Sequence, residues 1–131
     1  MNRDDLIARL RQLDLDPGQY WLITGGAMVF YGLREATHDI DLGCTAKLAD
    51  ELEHRGCPVT VLEDGTRKLR IGDDIELFEN WIYDEALMVD GLPVISLKGL
   101  MEMKRALGRE KDYRDIRMIE DFLNKNKTVL K

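Results

Sequence analysis

The chain has only two cysteines and three prolines among 131 residues, and no apolar run approaches the roughly 20 residues of a membrane span. Cys44 and Cys57 have no partner at metal-ligand spacing, so neither a disulfide framework nor a structural zinc site is expected, and both read as reduced thiols. The opening MNRDDLIARL is charged and periodic and lacks the apolar centre of a signal peptide. The expectation is a cytoplasmic protein without a membrane partner. An excess of positive charge is missing too: 19 basic residues face 25 acidic ones, a net charge of −6. Phosphate neutralisation dominates binding to duplex nucleic acid, so an acidic chain argues against that task. It does not argue against a small polyanion held through metal ions. Internal repeats, low-complexity tracts and linkers are also absent, which points to one domain over residues 1–131. With 44% hydrophobic residues, such a domain can bury a real core.

What is present reads as α-β-α-β-α, then hairpins, then two helices. Leu6, Ile7, Leu10 and Leu13 share one face of a helix over 3–13, with Asn2 as candidate N-cap. YWLIT (20–24) reads as a buried strand ended by Gly25-Gly26, with a short helix over 27–33. DIDL (39–42) is a second strand, and Thr45 caps a helix to about residue 55 that Gly56 closes. Strands over 58–62, 67–71 and 74–78 follow, with Asp64-Gly65 and Gly72-Asp73 as turns. Strands over 86–89 and 92–95 are joined by Asp90-Gly91, and helices over 97–107 and 112–123 end the chain. This order implies an α/β (α+β) fold, a mixed sheet with flanking helices, rather than a doubly wound parallel sheet.

Three features carry chemistry. Two glycines between a strand and a helix let a backbone approach a ligand closely, and amides at a helix start favour phosphate; a plain tight turn is the bland alternative. Asp39 and Asp41 stand at i and i+2 on a strand, hence on one face, while Ile40 and Leu42 point into a core. Paired hard-oxygen ligands suit Mg²⁺, which is held by one or two carboxylates plus substrate phosphates; a polar strand edge is the alternative. Glu76, between Ile75 and Leu77, would complete a three-carboxylate cluster if its strand neighbours the first. Asp74 competes for that place. His38 faces opposite to Asp39 and reads as structural or surface. Trp81, Ile82 and Leu87 are candidates for an exposed apolar patch, which leaves self-association open.

The joint pattern resembles the DNA polymerase β-type nucleotidyltransferase superfamily: two small residues, a spacer of about ten, then acid-x-acid. Gly25-Gly26-Ala27 and Asp39-Ile40-Asp41-Leu42 match it, with 12 residues between Gly26 and Asp39 (39 − 26 − 1). The string GGAMVFYGLREATHDIDL is similar to small bacterial lincosamide-modifying and abortive-infection antitoxin-partner types, in which an Arg and a Thr, Ser or His precede the acidic strand, as Arg34 and Thr37 do. The segment 97–116 resembles the later helices of that group, a lysine-bearing helix followed by K-D-x-x-D, here Lys104, Arg109, Lys111, Asp112 and Asp115.

The resemblance implies transfer of a nucleoside monophosphate from an NTP to a hydroxyl or phosphate, with release of pyrophosphate. Asp39, Asp41 and Glu76 would be the catalytic, metal-binding carboxylates for two Mg²⁺ ions. Gly25 and Gly26 would cradle the triphosphate, joined by Thr37. Arg34, Lys104 and Arg109 would neutralise phosphate charge, against the bland reading of ion pairs on solvated faces. No second domain to hold an acceptor is evident, so the acceptor would be a small molecule, a partner protein or a second copy. In toxin-antitoxin systems of similar type such a minimal domain acts on a partner. The alternative is a catalytically silent domain of the same fold that binds a partner. A phosphorylation receiver domain fits poorly, because diglycine stands where an acidic pair should follow the first strand.

Overall fold

Short alternating strands need apolar cover on one side, and the helices supply it. The computed structural model describes residues 1–82 and 84–129, with side chains described as far as Asn124 and Lys125. Helix α1 (Arg3–Leu13) is opened by a capping box: the Asn2 side chain accepts from the Asp5 amide while Asp5 accepts from that of Asn2. It buries Leu6 and Leu10. Strand β1 (Tyr20–Ile23) runs straight into α2 (Thr24–Phe30), and β2 (Ile40–Cys44) into α3 (Ala46–His54), capped by Thr45. Strands β3 (Val59–Val61), β4 (Arg67–Ile71) and β5 (Ile75–Glu79) form a meander, and β6 (Ala86–Val89) and β7 (Leu92–Ile95) a hairpin. Helices α4 (Leu97–Leu107) and α5 (Glu110–Val129) follow, the first capped by Ser96.

The seven strands form one mixed sheet in the order β3-β4-β5-β2-β1-β7-β6. Strand β2 runs antiparallel to β1 and parallel to β5, and β1 runs parallel to β7. The core lies where Leu22, Ile40, Leu42, Leu69, Ile75 and Leu77 meet the helices, all six fully buried. At about 25 cal/mol per Å² of apolar surface, each such side chain contributes roughly 1.5–3 kcal/mol. The intervening residues Lys68, Arg70, Glu76 and Phe78 are half-buried or exposed, so one face of β4 and β5 is left open.

Strand β2 starts at Ile40 and leaves Asp39 just outside it, β5 is shifted by one residue to Ile75–Glu79, and two helix boundaries also differ from the sequence reading. Helix α2 begins at Thr24, so the diglycine lies within its first turn instead of preceding it, and it stops at Phe30 because Gly32 takes φ +76°. Helix α5 begins at Glu110 and runs to Val129, since the Asp112 carboxylate caps the Arg109 amide at 3.1 Å. Trp81 turns back onto Phe78, ring centroids 4.4 Å apart, leaving Ile82 and Leu87 as the exposed members of the expected apolar patch.

Candidate active site

The β1–α2 junction, the start of β2 and the α4–α5 turn converge on a cavity of about 270 Å³. Thr24 and Gly25 form one wall, Arg34, Thr37, His38, Asp39 and Asp41 a second, and Lys104, Arg109, Lys111, Asp112 and Asp115 a third. Thus Gly25, Arg34, Thr37, Asp39, Asp41, Lys104 and Arg109, chosen from the sequence, come together in one place. Gly26 and Glu76 stand outside that lining.

The two glycines divide the work. A Cβ on Gly25 would lie 2.7 Å from the Thr37 hydroxyl and 3.0 Å from the Arg34 guanidinium. Gly25 therefore lets the Thr37 and Arg34 side chains close onto the start of α2. A Cβ on Gly26 would lie 2.7 Å from Leu22, so Gly26 lets α2 pack onto β1. The preceding residue, Thr24, adopts φ +52°, a costly conformation for a β-branched side chain. Its hydroxyl donates to the Asp41 carboxylate at 2.8 Å, which ties the strand-helix bend to the acidic strand.

Asp41 is the electrostatic focus. Burial raises its pKa above the ordinary carboxylate value, the Thr24 hydroxyl works against that, and the charges of Glu76 and Asp39 raise it further, with Lys111 opposing. The site thus disfavours the anion it presents, and an added cation would relieve the conflict. Asp39 lies just before β2, exposed, and Thr37 donates to its carbonyl at 3.3 Å. Register places Glu76 beside Asp41 on neighbouring parallel strands, as the cluster required, yet the Glu76 carboxylate reaches the Lys68 ammonium at 3.3 Å. Among the described residues, no group of three or more His, Cys, Asp or Glu side chains is close enough to hold a metal ion. Two carboxylates plus substrate phosphates nonetheless match how Mg²⁺ is usually bound. Asp74 is engaged elsewhere: Arg9 holds it at 2.8 and 3.1 Å and lowers its pKa.

The expected cations are largely neutralised within the protein. Lys104 is 4% exposed and lies 2.9 Å from Asp115 and 3.8 Å from Asp112. Arg34 reaches Asp115 at 3.1 Å, and Arg109 reaches Asp112 at 2.7 Å. Burial alone would push the Asp112 carboxyl up, but the Arg109 side chain and amide hold it below its usual value. Lys111, exposed at the rim, has no ion pair among the described residues. From the sequence, Thr24 has no site role, and Asp112 and Asp115 belong to the K-D-x-x-D resemblance without a role at the site. That spacing also carries the structural role, since i and i+3 share a helical face and both acids can meet Lys104.

The fold around this cavity is the one found in nucleotidyltransferases. A candidate nucleotidyltransferase from Thermotoga maritima shares it with a TM-score of 0.61 and 17% identity, over 95% of this chain and 96% of that one. The lincosamide antibiotic adenylyltransferase LnuA, solved with lincomycin bound, gives 0.53 and 18% over 90% of this chain and 94% of its own. ANT(2″)-Ia, solved in complex with adenylyl-2″-tobramycin, gives 0.51 and 18% over 86% and 83%. No family model and no curated protein matches the chain. At these identities the likeness is one of fold, and the resemblance first read from the diglycine and the acidic strand agrees with it. No helix among the described residues is long and apolar enough to cross a membrane.

Proposed function

We propose that the chain is a metal-dependent nucleotidyltransferase that moves a nucleoside monophosphate from an NTP to a hydroxyl or phosphate acceptor. An acceptor oxygen attacks the α-phosphorus, the bond to the bridging oxygen breaks, and pyrophosphate leaves. The observation that carries this reading is Asp41, a carboxylate whose pKa is raised by burial and like charges in a cavity that it shares with Gly25, Arg34, Lys104, Arg109 and Lys111. Asp39 and Asp41, joined by Glu76, are the residues that would hold Mg²⁺, with two ions expected when NTP is bound. The metal would supply charge neutralisation at the phosphates and lower the pKa of the attacking oxygen.

The remaining roles belong to the chain itself. Gly25 lets the Thr37 hydroxyl and the Arg34 guanidinium pack against the start of α2, and both line the cavity that would take the triphosphate. Lys111 is a cation that can meet phosphate without first breaking an ion pair, whereas Lys104 is better suited to hold Asp112 and Asp115, and through them Arg109 and Arg34. Glu76 would take the acceptor's proton. Catalysis by such a set is positioning and electrostatic stabilisation. The acceptor is a small molecule, a partner protein or a second copy of the chain; a location in the cytoplasm and a toxin-antitoxin setting belong to this same proposal.

Incubation with the four NTPs, Mg²⁺ and candidate acceptors, including any co-purifying protein, should add the mass of one nucleoside monophosphate to the acceptor. Absence of Mg²⁺-dependent affinity for all four nucleotides would remove the enzyme reading. It would leave a silent nucleotidyltransferase-fold module that binds a partner, a reading favoured by the engagement of Glu76 with Lys68.

A further inference from the structure

Glu76 stands between two charge environments. On one side its register partner in β2 is Asp41, whose carboxyl feels Glu76 as repulsion. On the other side lies β4, where Arg70 is directly opposite Glu76 and Lys68 is opposite Phe78. Arg70 turns its guanidinium to the carbonyls of Gly72 and Asp73, both at 3.2 Å. Lys68 instead reaches diagonally across the open sheet face to Glu76, at 3.3 Å. Both side chains of that pair remain about one-third exposed, 35% for Lys68 and 30% for Glu76.

We propose that Lys68 is a positioning residue, a built-in counter-ion that draws Glu76 away from Asp39 and Asp41 and gives it up when a divalent cation enters. This rests on the reading of the three carboxylates as the metal-binding set. The physics favours exchange. An ion pair this exposed is weak, so a divalent ion that can be shared by several carboxylates competes for Glu76 successfully. The pair nevertheless lowers the negative charge that the cation sees, so Lys68 sets the affinity for it. The same contact accounts for a third carboxylate that the register brings beside Asp41 yet that lies outside the cavity lining.

The test is a titration of the whole chain with Mn²⁺ alone, read from the loss of the free-ion electron paramagnetic resonance signal. Lys68→Met should tighten Mn²⁺ binding by about threefold to fivefold, the range of an exposed ion pair. Lys68→Arg should keep the wild-type affinity. In the Glu76→Gln background, Lys68→Met should change nothing, because the partner carboxylate is gone. An unchanged or weaker affinity in Lys68→Met, or an equal gain in the Glu76→Gln background, overturns the proposal. The underlying reading fails separately and recognisably if Asp39→Asn and Asp41→Asn bind Mn²⁺ as the wild type does. Thermal unfolding of each variant, expected within a degree or so of the wild type for Lys68→Met, separates a change in affinity from a change in fold.

Discussion

Glu79 and Asp41 are half-buried or buried carboxylates on adjacent parallel strands of one sheet, and their surroundings pull them in opposite directions. Glu79 faces α3 and meets Arg67 through two guanidinium contacts, at 2.6 and 3.2 Å, and through the Arg67 amide at 3.0 Å. Arg67 also reaches Asp50 and Glu53, each at 2.8 Å, so it ties β4 and β5 to α3. These bonds hold the Glu79 pKa below its ordinary value although burial opposes them. Asp41 has one hydroxyl donor and two acidic neighbours, and its pKa is raised. A buried carboxylate supplied with a cation contributes to the fold. One left beside other carboxylates costs stability and is a candidate for function.

The contrast is broken most severely at the acidic strand. If Asp39 and Asp41 hold the metal, Asp39→Asn and Asp41→Asn should each lower Mg²⁺-supported NTP turnover by about a thousandfold, roughly 4 kcal/mol of transition-state stabilisation, in steady-state assays. Full activity in either variant would show that the site has been wrongly assigned. Next in size is Lys104→Met, which leaves Asp112 and Asp115 without their buried ammonium. Denaturant unfolding should show a loss of about 3 kcal/mol; a loss below about 0.5 kcal/mol would mean that water or Arg34 and Arg109 suffice.

Glu79→Gln and Asp41→Asn then separate the two carboxylates by pH. The Glu79 pKa is depressed, so its contribution is present above the unfolded-state value and disappears as pH falls through the folded-state value. Glu79→Gln should cost about 2 kcal/mol near neutral pH and progressively less in acid. The Asp41 pKa is raised, so its ionised form opposes folding at neutral pH, and the penalty fades as pH drops from the folded-state value towards the unfolded one. Asp41→Asn should therefore raise the melting temperature at pH 7 while turnover falls as above. Melting temperatures across pH 3–8 check both signs, and a lower melting temperature for Asp41→Asn would contradict the argument. Lys111→Ala is the mildest change. It should raise KM for the NTP about tenfold, equivalent to about 1.4 kcal/mol, and leave the melting temperature unchanged.

Much of the fold was legible because its signals are local. The Asn2 and Thr45 caps, the Asp64-Gly65 and Asp90-Gly91 turns and the alternation in β2 and β5 each depend on a few neighbouring residues. The α2 boundary was misplaced because glycines are usually turn residues. Here they are helical, and glycine is required because the space beside them is taken by Leu22, Thr37 and Arg34, residues that sequence distance does not reveal. Burial of Lys104 was equally hidden, because a lysine in the last turn of a helix normally reads as solvated.

The amino-acid order by itself determined which chemical groups could meet: a diglycine after a strand, an acid pair at the start of the next, a further acid three strands on. Only the folded sheet decided how they were paired. It assigned Asp74 to Arg9, Glu76 to Lys68 and Asp112 and Asp115 to Lys104, and left Asp41 without a cation in ion-pair contact among the described residues. The physical reason is that charge pairing depends on distance and burial in space, both set by strand order and helix packing, whereas periodicity along the chain records only which side of an element a residue occupies.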